Sequence, residues 1–309
     1  MIVAVIIILG VLFLFVFPTL VMSYVIYSAV LVRTKPEKWT RECSIPEDEE
    51  YRKMFEEGMK WDSQYSFAKS DVDITSDGLH LAGEYFDFGF KKAVIIIPGR
   101  MESCLYSYYF AEPYRRAEYN VLVIDNRAHG FSEGKYISLG YKEYRDIIEW
   151  GKLLHELGNE SVCIHGICIG ASTALFAMTD DKCPEYFSCM VAEGMYTNFY
   201  ESFKNHMKDQ NRPLFPLLYG VMVHIRVFSG ANVVTDGPIK RIGKLKKPIL
   251  FLHSKEDVFS LPQKMDLLYD KCNSKKELVW FDVGAHSRIR INNEEKYDTA
   301  IIDFLGKNN

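Results

Sequence analysis

The sequence predicts an α/β protein with a mostly parallel sheet covered by helices on both faces, preceded by one transmembrane helix. From Asp71 onward, short apolar, β-branched runs alternate with longer segments whose apolar residues recur at helical spacing. Before this region, residues 1–32 contain no charged side chain. The composition is that of a globular protein, since 48% of the 309 residues are hydrophobic and 25% are charged.

The uncharged segment 1–32 is long enough to be a membrane anchor. As a helix it would extend about 48 Å, more than the ~30 Å hydrocarbon core requires. A secretory signal usually has a basic start and a shorter apolar region, so we expect a retained anchor, with an atypical signal as the alternative. Arg33, Lys35, Lys38 and Arg41 follow the segment. The positive-inside rule therefore predicts a single-pass protein of the cell membrane whose C-terminal domain is cytoplasmic.

The rest of the chain divides into a linker and one domain. Residues 33–70 are predicted to form a linker with a short helix from Pro46 to about Met59, to which we assign no chemistry. The domain is predicted for residues 71–309, with strands at 71–75, 79–86, 92–97, 121–124, 161–164, 187–192, 248–252 and 277–281. Helices are predicted at 103–118, 141–157, 171–178, 261–272 and 294–305.

One insertion interrupts this alternation. Residues 194–234 are rich in aromatic side chains and are predicted to form a lid. Its aromatic residues are candidates for an apolar acyl pocket, with plain packing as the alternative: Tyr196, Phe199, Tyr200, Phe203, Phe215 and Tyr219.

A G-x-C-x-G pattern lies between the strand predicted at 161–164 and the helix predicted at 171–178. It matches the nucleophile elbow G-x-S-x-G with cysteine in place of serine. Gly166 and Gly170 would let the strand and helix backbones approach closely. Cys168 would then lie at a helix N-terminus, a position that favours a thiolate. The alternative is a structural cysteine in an ordinary strand-to-helix turn.

Two further residues follow strands later in the chain. Asp257 comes after the strand at 248–252, and His286 after the strand at 277–281. Nucleophile, acid and histidine in this order are typical of α/β-hydrolases, and the carboxyl ends of parallel strands meet at one edge of a sheet. Glu256 and Asp282 are the nearest alternatives for the acid.

Four landmarks in order resemble the α/β-hydrolase superfamily, in particular its membrane-anchored bacterial branch described as acyl-hydrolase-like or serine-aminopeptidase-like. Besides the elbow and the acid and histidine positions, residues 97–100 (IPGR) resemble its oxyanion loop, and residues 125–132 (DNRAHGFS) its D-x-R-G-H-G-x-S loop. The resemblance implies a Cys168, His286 and Asp257 triad. It also implies an oxyanion hole formed by the backbone N–H groups of Ile169 and Arg100. Asp125, Arg127 and His129 are expected to brace their turn, and His165 and His253 to be packed.

Two departures from the family pattern bear on function: cysteine replaces the nucleophilic serine, and Pro98 replaces a histidine of the oxyanion loop. Because a thiolate also leaves easily, the sequence favours hydrolysis of acyl esters or thioesters with good leaving groups. We expect a small-molecule or lipid-like acyl substrate. An acyltransferase and a catalytically inactive binding module remain as alternatives.

The composition excludes several other classes. The net charge is −4, and the chain has no basic stripe and no zinc-type C-x-x-C pair, so neither nucleic acid nor metal is expected. No nucleotide or flavin motif occurs, and no cofactor is expected. The seven scattered cysteines are typical of a reducing compartment.

Overall fold

A central eight-stranded sheet organises the computed structural model, which describes residues 2–42 and 48–308. The strands are Lys69–Ser76 (β1), Leu79–Phe86 (β2), Lys92–Ile97 (β3), Asn120–Ile124 (β4), Ser161–Ile167 (β5), Phe187–Glu193 (β6), Ile249–Ser254 (β7) and Lys276–Phe281 (β8). Their order in space is β1-β2-β4-β3-β5-β6-β7-β8. β2 is antiparallel to both neighbours, and every pair from β4 to β8 is parallel. The predicted fold class is confirmed.

Helices cover both faces of this sheet. They are Ile2–Leu31 (α1), Glu49–Tyr65 (α2), Cys104–Ser107 (α3), Glu112–Arg116 (α4), Glu143–Glu156 (α5), Ile169–Met178 (α6), Phe199–Asp209 (α7), Leu217–Ser229 (α8), Pro238–Arg241 (α9), Pro262–Lys271 (α10), Ile289–Asn292 (α11) and Glu294–Lys307 (α12). Alternate residues of a central strand such as β3 face opposite sides, so Ile95 packs into one apolar layer and Ile96 into the other.

Two predicted helices differ from the observed ones. The helix expected over 103–118 is divided into α3, a 3₁₀ turn at Tyr108–Phe110 and α4, in whose first turn Pro113 lies. Proline has no N–H to donate, so it opens a helix more readily than it continues one. The expected start of the linker helix at Pro46 lies outside the described residues. The structure caps α2 with Asp48, whose side chain accepts a hydrogen bond from the Tyr51 N–H, and α2 continues to Tyr65.

The segment after α1 packs on the domain. Val32 forms a bridge with Tyr136, and the Trp39 ring stacks on His129 at 4.7 Å. Lys38 Nζ donates to the carbonyl of Ala29 at 2.7 Å, where the helix leaves carbonyl groups without partners. Part of α1, Phe13–Leu31, is long and apolar enough to cross a membrane.

A third apolar cluster joins α1 to the insertion. It contains Tyr27 and Leu31 of α1, Leu218 and Val221 of α8, and Ile169 at the elbow. The insertion consists mainly of α7 and α8 and lies above the carboxyl ends of the strands. The end of α1 and the lid therefore share one core next to the nucleophile elbow.

Candidate active site

The nucleophile elbow is a strained turn between β5 and α6. Cys168 has φ 56° and ψ −111°, a backbone conformation that residues other than glycine rarely adopt. A Cβ on Gly166 would overlap the backbone of Gly170, and a Cβ on Gly170 would overlap the Ile97 carbonyl oxygen. The Cys168 N–H donates to the Glu193 carbonyl at 2.9 Å. The strand and helix are therefore close enough that only glycine fits on either side of the cysteine.

The predicted acid and histidine lie in direct contact. His286 Nδ1 is 2.7 Å from Asp257 Oδ2. The other oxygen, Oδ1, accepts hydrogen bonds from the backbone N–H groups of Phe259 at 2.8 Å and Ser260 at 2.7 Å. Gly194 leaves room for the ring, since a Cβ there would lie 3.2 Å from His286 Cε1. Asp257 is thus a buried carboxylate whose oxygens are all occupied in orienting the imidazole.

The electrostatics of this group favour a protonated histidine. Burial by itself lowers the pKa of His286, but the charges of Asp257 and Cys168, with side-chain hydrogen bonds to both, raise it well above its usual value. Burial raises the pKa of Asp257, and the charge and hydrogen bond of His286 outweigh this and lower it. The structure therefore pairs His286 with Asp257 by a hydrogen bond, and Cys168 lines the same cavity as His286.

The other acids considered from the sequence make different contacts. Asp282 is exposed and pairs with Lys255 at 2.6 Å. Glu256 accepts a hydrogen bond from the Gly284 N–H at 2.9 Å and so holds the loop that carries His286.

A cavity of about 130 Å³ opens beside Cys168 and His286. Its other lining residues come from α2, the loop after β3, the elbow, the lid and the loops after β7 and β8: Tyr51, Gly99, Arg100, Met101, Glu102, Ile169, Tyr196, Phe199, Ser202, Phe203, His206, Phe259 and Ser287.

The prediction that the lid aromatics form a pocket is correct for only half of them. Tyr196, Phe199 and Phe203 line the cavity. Phe215 and Tyr219 are 71% and 55% exposed on the outside of the lid, and Tyr200 packs on the lid cluster without lining the cavity. Aromatic composition does not reveal which face of a lid helix turns inward.

The two expected oxyanion donors border this cavity. Ile169 is the first residue of α6, so its N–H is one that a helix leaves without an intrahelical acceptor. Arg100 is held from two sides: its carbonyl oxygen lies 2.6 Å from His129 Nε2, and its Nη1 donates to the Val30 carbonyl at 3.1 Å. The His129 loop thus braces the oxyanion loop as well as its own turn.

Glu102 and Tyr51 are among the cavity residues that were not predicted from the sequence. The Glu102 carboxyl is buried and accepts a hydrogen bond from the Gly99 N–H at 2.7 Å, and Tyr51 donates to it from α2. Burial raises the pKa of Glu102. The position of Glu102, three residues after the loop glycine, is a local sequence signal from which its hydrogen bond to Gly99 could have been predicted. Nothing in the sequence near Tyr51 indicates that α2 reaches the site. The linker helix was expected to carry no chemistry, whereas the structure places its Tyr51 in the wall of the cavity.

A third acid lies behind the site. Glu193 ends β6 fully buried, and burial raises its pKa to about 7. The Tyr297 hydroxyl donates to it and also lies 3.3 Å from His165 Nε2. His165 and His253 are buried as expected, the latter with Nε2 2.7 Å from the Ser260 carbonyl oxygen. A glutamate at the carboxyl end of an apolar strand was a usable signal for Glu193.

Within residues 2–42 and 48–308, no three His, Cys, Asp or Glu side chains are grouped as metal ligands. The six cysteines described there are free thiols.

Comparison with known proteins places this geometry in a family context. Residues 92–222 match the family model for the alpha/beta hydrolase fold. YqkD of Bacillus subtilis (strain 168), an uncharacterized protein, is 29% identical over 221 residues, which is 71% of this chain and 72% of YqkD.

Solved structures are similar over most of the chain. An esterase from Pyrococcus furiosus is 24% identical with a TM-score of 0.68, covering 80% of this chain and 93% of the esterase. The esterase EaEST from Exiguobacterium antarcticum is 15% identical with a TM-score of 0.57, covering 76% of this chain and 99% of EaEST. The chain has the α/β-hydrolase fold, which these solved structures share and which the family model matches over residues 92–222.

Proposed function

We propose that this protein is a membrane-anchored hydrolase of acyl esters or thioesters that acts through Cys168, His286 and Asp257. The observation that carries the proposal is the 2.7 Å contact between His286 Nδ1 and Asp257 Oδ2, beside a cysteine held in a strained elbow. The esterases among the fold neighbours support a hydrolase.

The first half of the reaction follows from the charges. In the proposed reaction, His286 takes the proton of the Cys168 thiol, giving a thiolate beside an imidazolium that Asp257 stabilises. The sulfur attacks the substrate carbonyl carbon, and the backbone N–H groups of Ile169 and Arg100 receive the negative oxygen. Each such donor typically contributes about 3 kcal/mol to the transition state. The tetrahedral intermediate collapses, its bond to the leaving oxygen or sulfur breaks, and His286 protonates that atom.

The second half releases the acyl group from Cys168. His286, now neutral, takes a proton from a water molecule whose oxygen attacks the acyl-cysteine carbonyl. Expulsion of the cysteine sulfur yields the carboxylic acid, and the proton on His286 restores the starting pair. Asp257 keeps the ring in one orientation throughout, since its other oxygen is fixed by the Phe259 and Ser260 N–H groups.

The nucleophile and the cavity both limit the substrate. Because thiolate is itself a good leaving group, productive collapse requires a leaving group at least as good, such as a thiol, phenol or enol. The cavity of about 130 Å³ is close to the ~150 Å³ of an engineered cavity that binds benzene. We therefore propose short acyl groups, of about six carbons or fewer.

A retained anchor is part of the proposal. Tyr27 and Leu31 are each only 1% exposed because they pack into the cluster shared with the lid. Removing residues 1–32, as a signal peptidase would, uncovers that cluster next to Ile169. The basic residues after α1 support a cytoplasmic domain.

The catalytic proposal is tested with the purified full-length chain and short-chain acyl thioesters and aryl esters. We expect free acid to form without any added acceptor, and mass spectrometry to find one acyl group on Cys168. Cys168→Ala should lower kcat/KM to the background rate. Cys183→Ala, which removes a partly exposed free thiol at the opposite edge of the sheet, should keep wild-type activity.

Three outcomes separate the alternatives. Turnover by Cys168→Ala equal to wild type rejects the nucleophile. Product that forms only when an amine, thiol or alcohol is added rejects the hydrolase in favour of an acyltransferase. Labelling of Cys168→Ala by a thiol-directed activity probe as strong as that of wild type likewise rejects Cys168 as the nucleophile, and the inactive binding module then becomes the favoured interpretation.

The anchor is tested by fractionation and protease treatment of cells. We expect the full chain to remain with the membrane after alkaline carbonate extraction, and the domain to resist protease until cells are opened. A mature protein that begins after Val32, or a domain digested in intact cells, contradicts this part.

A further inference from the structure

The second lid helix, α8, is apolar on both of its faces. Its inner face is buried through residues such as Val221 and Ile225. Its outer face carries Val223 and Val227, which are 51% and 68% exposed. A surface helix normally turns polar residues away from the core, and a helix that is apolar all round belongs inside a protein or a membrane. The outer face of α8 thus calls for an apolar neighbour.

α8 packs directly against α1. Gly220 approaches Ser23 so closely that a Cβ on Gly220 would overlap the serine hydroxyl. His224 Nε2 lies 3.0 Å from the Leu20 carbonyl oxygen, which it reaches as a donor. Small residues at the contact and polar side chains that bond across it are typical of helix pairs in membranes.

Although His224 reaches back to the Leu20 carbonyl, the contacts as a whole advance in the same direction along both helices, since the His224 ring also lies 5.5 Å from that of Tyr24. Gly220 lies at Ser23, and farther along α8 the Phe228 ring stacks on Tyr27 at 5.5 Å. The two helices therefore run side by side and roughly parallel. Phe215, five residues before Gly220, lies toward the N-terminal part of α1, which enters the membrane more deeply if α1 spans it.

We infer that α8 lies in the bilayer beside α1, with its outer face against the acyl chains of the lipid. The inference rests on the anchor proposed above. Lipid is the occupant because the surface is continuous: Met22 and Val25 of α1, at the level of α8, are 53% and 55% exposed. One charged side chain interrupts the outer face, Arg226, and its Nη1 donates to the Gly230 carbonyl at the end of α8 nearest the domain.

The position of α8 defines how substrate arrives. The apolar cluster that begins at α1 and α8 continues through Phe199 and Phe203 of α7 and reaches Ile169 and Cys168. Phe199 and Phe203 also form the lid wall of the cavity. The lid is therefore the only layer of protein between the bilayer and that side of the cavity among the described residues. Among esters and thioesters of short acyl groups, this arrangement favours those whose leaving group partitions into the membrane.

Fluorescence quenching in vesicles tests the position of α8. The full-length chain is reconstituted in phosphatidylcholine vesicles with brominated acyl chains, and the emission of one added tryptophan is obtained by difference from wild type. Three variants each replace one exposed phenylalanine: Phe215→Trp at the start of α8, Phe17→Trp on α1 and Phe67→Trp. These side chains are 71%, 54% and 82% exposed. Phe67 precedes β1 at the sheet edge opposite the cavity, where β2 ends against the start of β4.

We expect bromolipid to quench Phe215→Trp as far as Phe17→Trp and to leave Phe67→Trp unchanged. If Phe17→Trp is quenched while Phe215→Trp behaves like Phe67→Trp, the anchor stands and the position of α8 is wrong. If neither is quenched, the anchor fails and the inference fails with it. Thermal melting checks that each variant folds, and Val223→Trp serves as a second position on α8 with the same expected result.

Discussion

The buried carboxyl of Glu193 makes a quantitative prediction about stability and pH. Burial raises its pKa from 4.5 to about 7 in the folded protein. Since the folded state keeps the proton to higher pH than the unfolded chain, the stabilisation is fully present below about pH 4.5 and is lost as pH rises through about 7. A difference of about 2.5 pKa units corresponds to about 3 kcal/mol of unfolding free energy.

Glu193→Gln should remove this loss. Glutamine keeps the shape of the side chain and an oxygen that can accept from the Tyr297 hydroxyl. We therefore expect the variant and wild type to differ little at pH 5. At pH 8 the variant should be more stable by about 3 kcal/mol, or roughly 5–10 °C in melting temperature.

Unfolding of the purified chain in detergent, followed at half-unit steps from pH 5 to 8.5, measures both curves. Glu56→Gln is the matched control, because Glu56 is exposed on α2 and carries no burial cost to relieve. Its curve should run parallel to that of wild type. Parallel curves for Glu193→Gln and wild type would refute the reasoning, since a carboxyl without a buried charge penalty has no such dependence.

Two further substitutions probe the site. Asp257→Asn should lower kcat/KM by about 10²–10⁴, because an amide no longer stabilises the His286 imidazolium. Its melting temperature should change little. A loss of kcat/KM below about tenfold would contradict the role of Asp257. Gly170→Ala should lower the unfolding free energy by about 1–3 kcal/mol, because the new Cβ overlaps the Ile97 carbonyl oxygen. Gly306→Ala is the control, because a Cβ at this position in α12 has open space, and it should melt no lower than wild type. Equal melting temperatures of the two variants would show that the elbow can shift to accommodate the Cβ and would contradict the prediction.

Much of the fold follows from local patterns in the sequence. The apolar run at β3 matched the observed strand, because a strand buried on both faces leaves a continuous hydrophobic signal. The run at β8, a partly buried edge strand, matched within one residue. The prediction of one helix over 103–118 was wrong for a local reason: it relied on the helical periodicity and disregarded Pro113, which opens a separate helix.

The candidate site was partly accessible in the same way. The elbow requires glycine on both sides of one residue, so a five-residue sequence pattern is enough to predict it. Asp257 and His286 could be chosen because each follows a strand, and parallel strands bring their carboxyl ends to one edge. Glu102 follows a loop glycine by three residues, and Glu193 ends an apolar strand. These local signals point to the site only once the cavity is known.

The sequence by itself determined the apolar N-terminal segment, the alternating strands and helices, and the candidate nucleophile, acid and histidine after their strands, since each is recognised from neighbours a few residues apart. Tertiary structure alone decided that Tyr51 reaches the cavity, that Val30 holds Arg100, and that α8 packs beside α1 with Val227 facing outward. These contacts join residues far apart in the chain. Their partners are selected by the packing of whole helices, for which no local periodicity carries a signal.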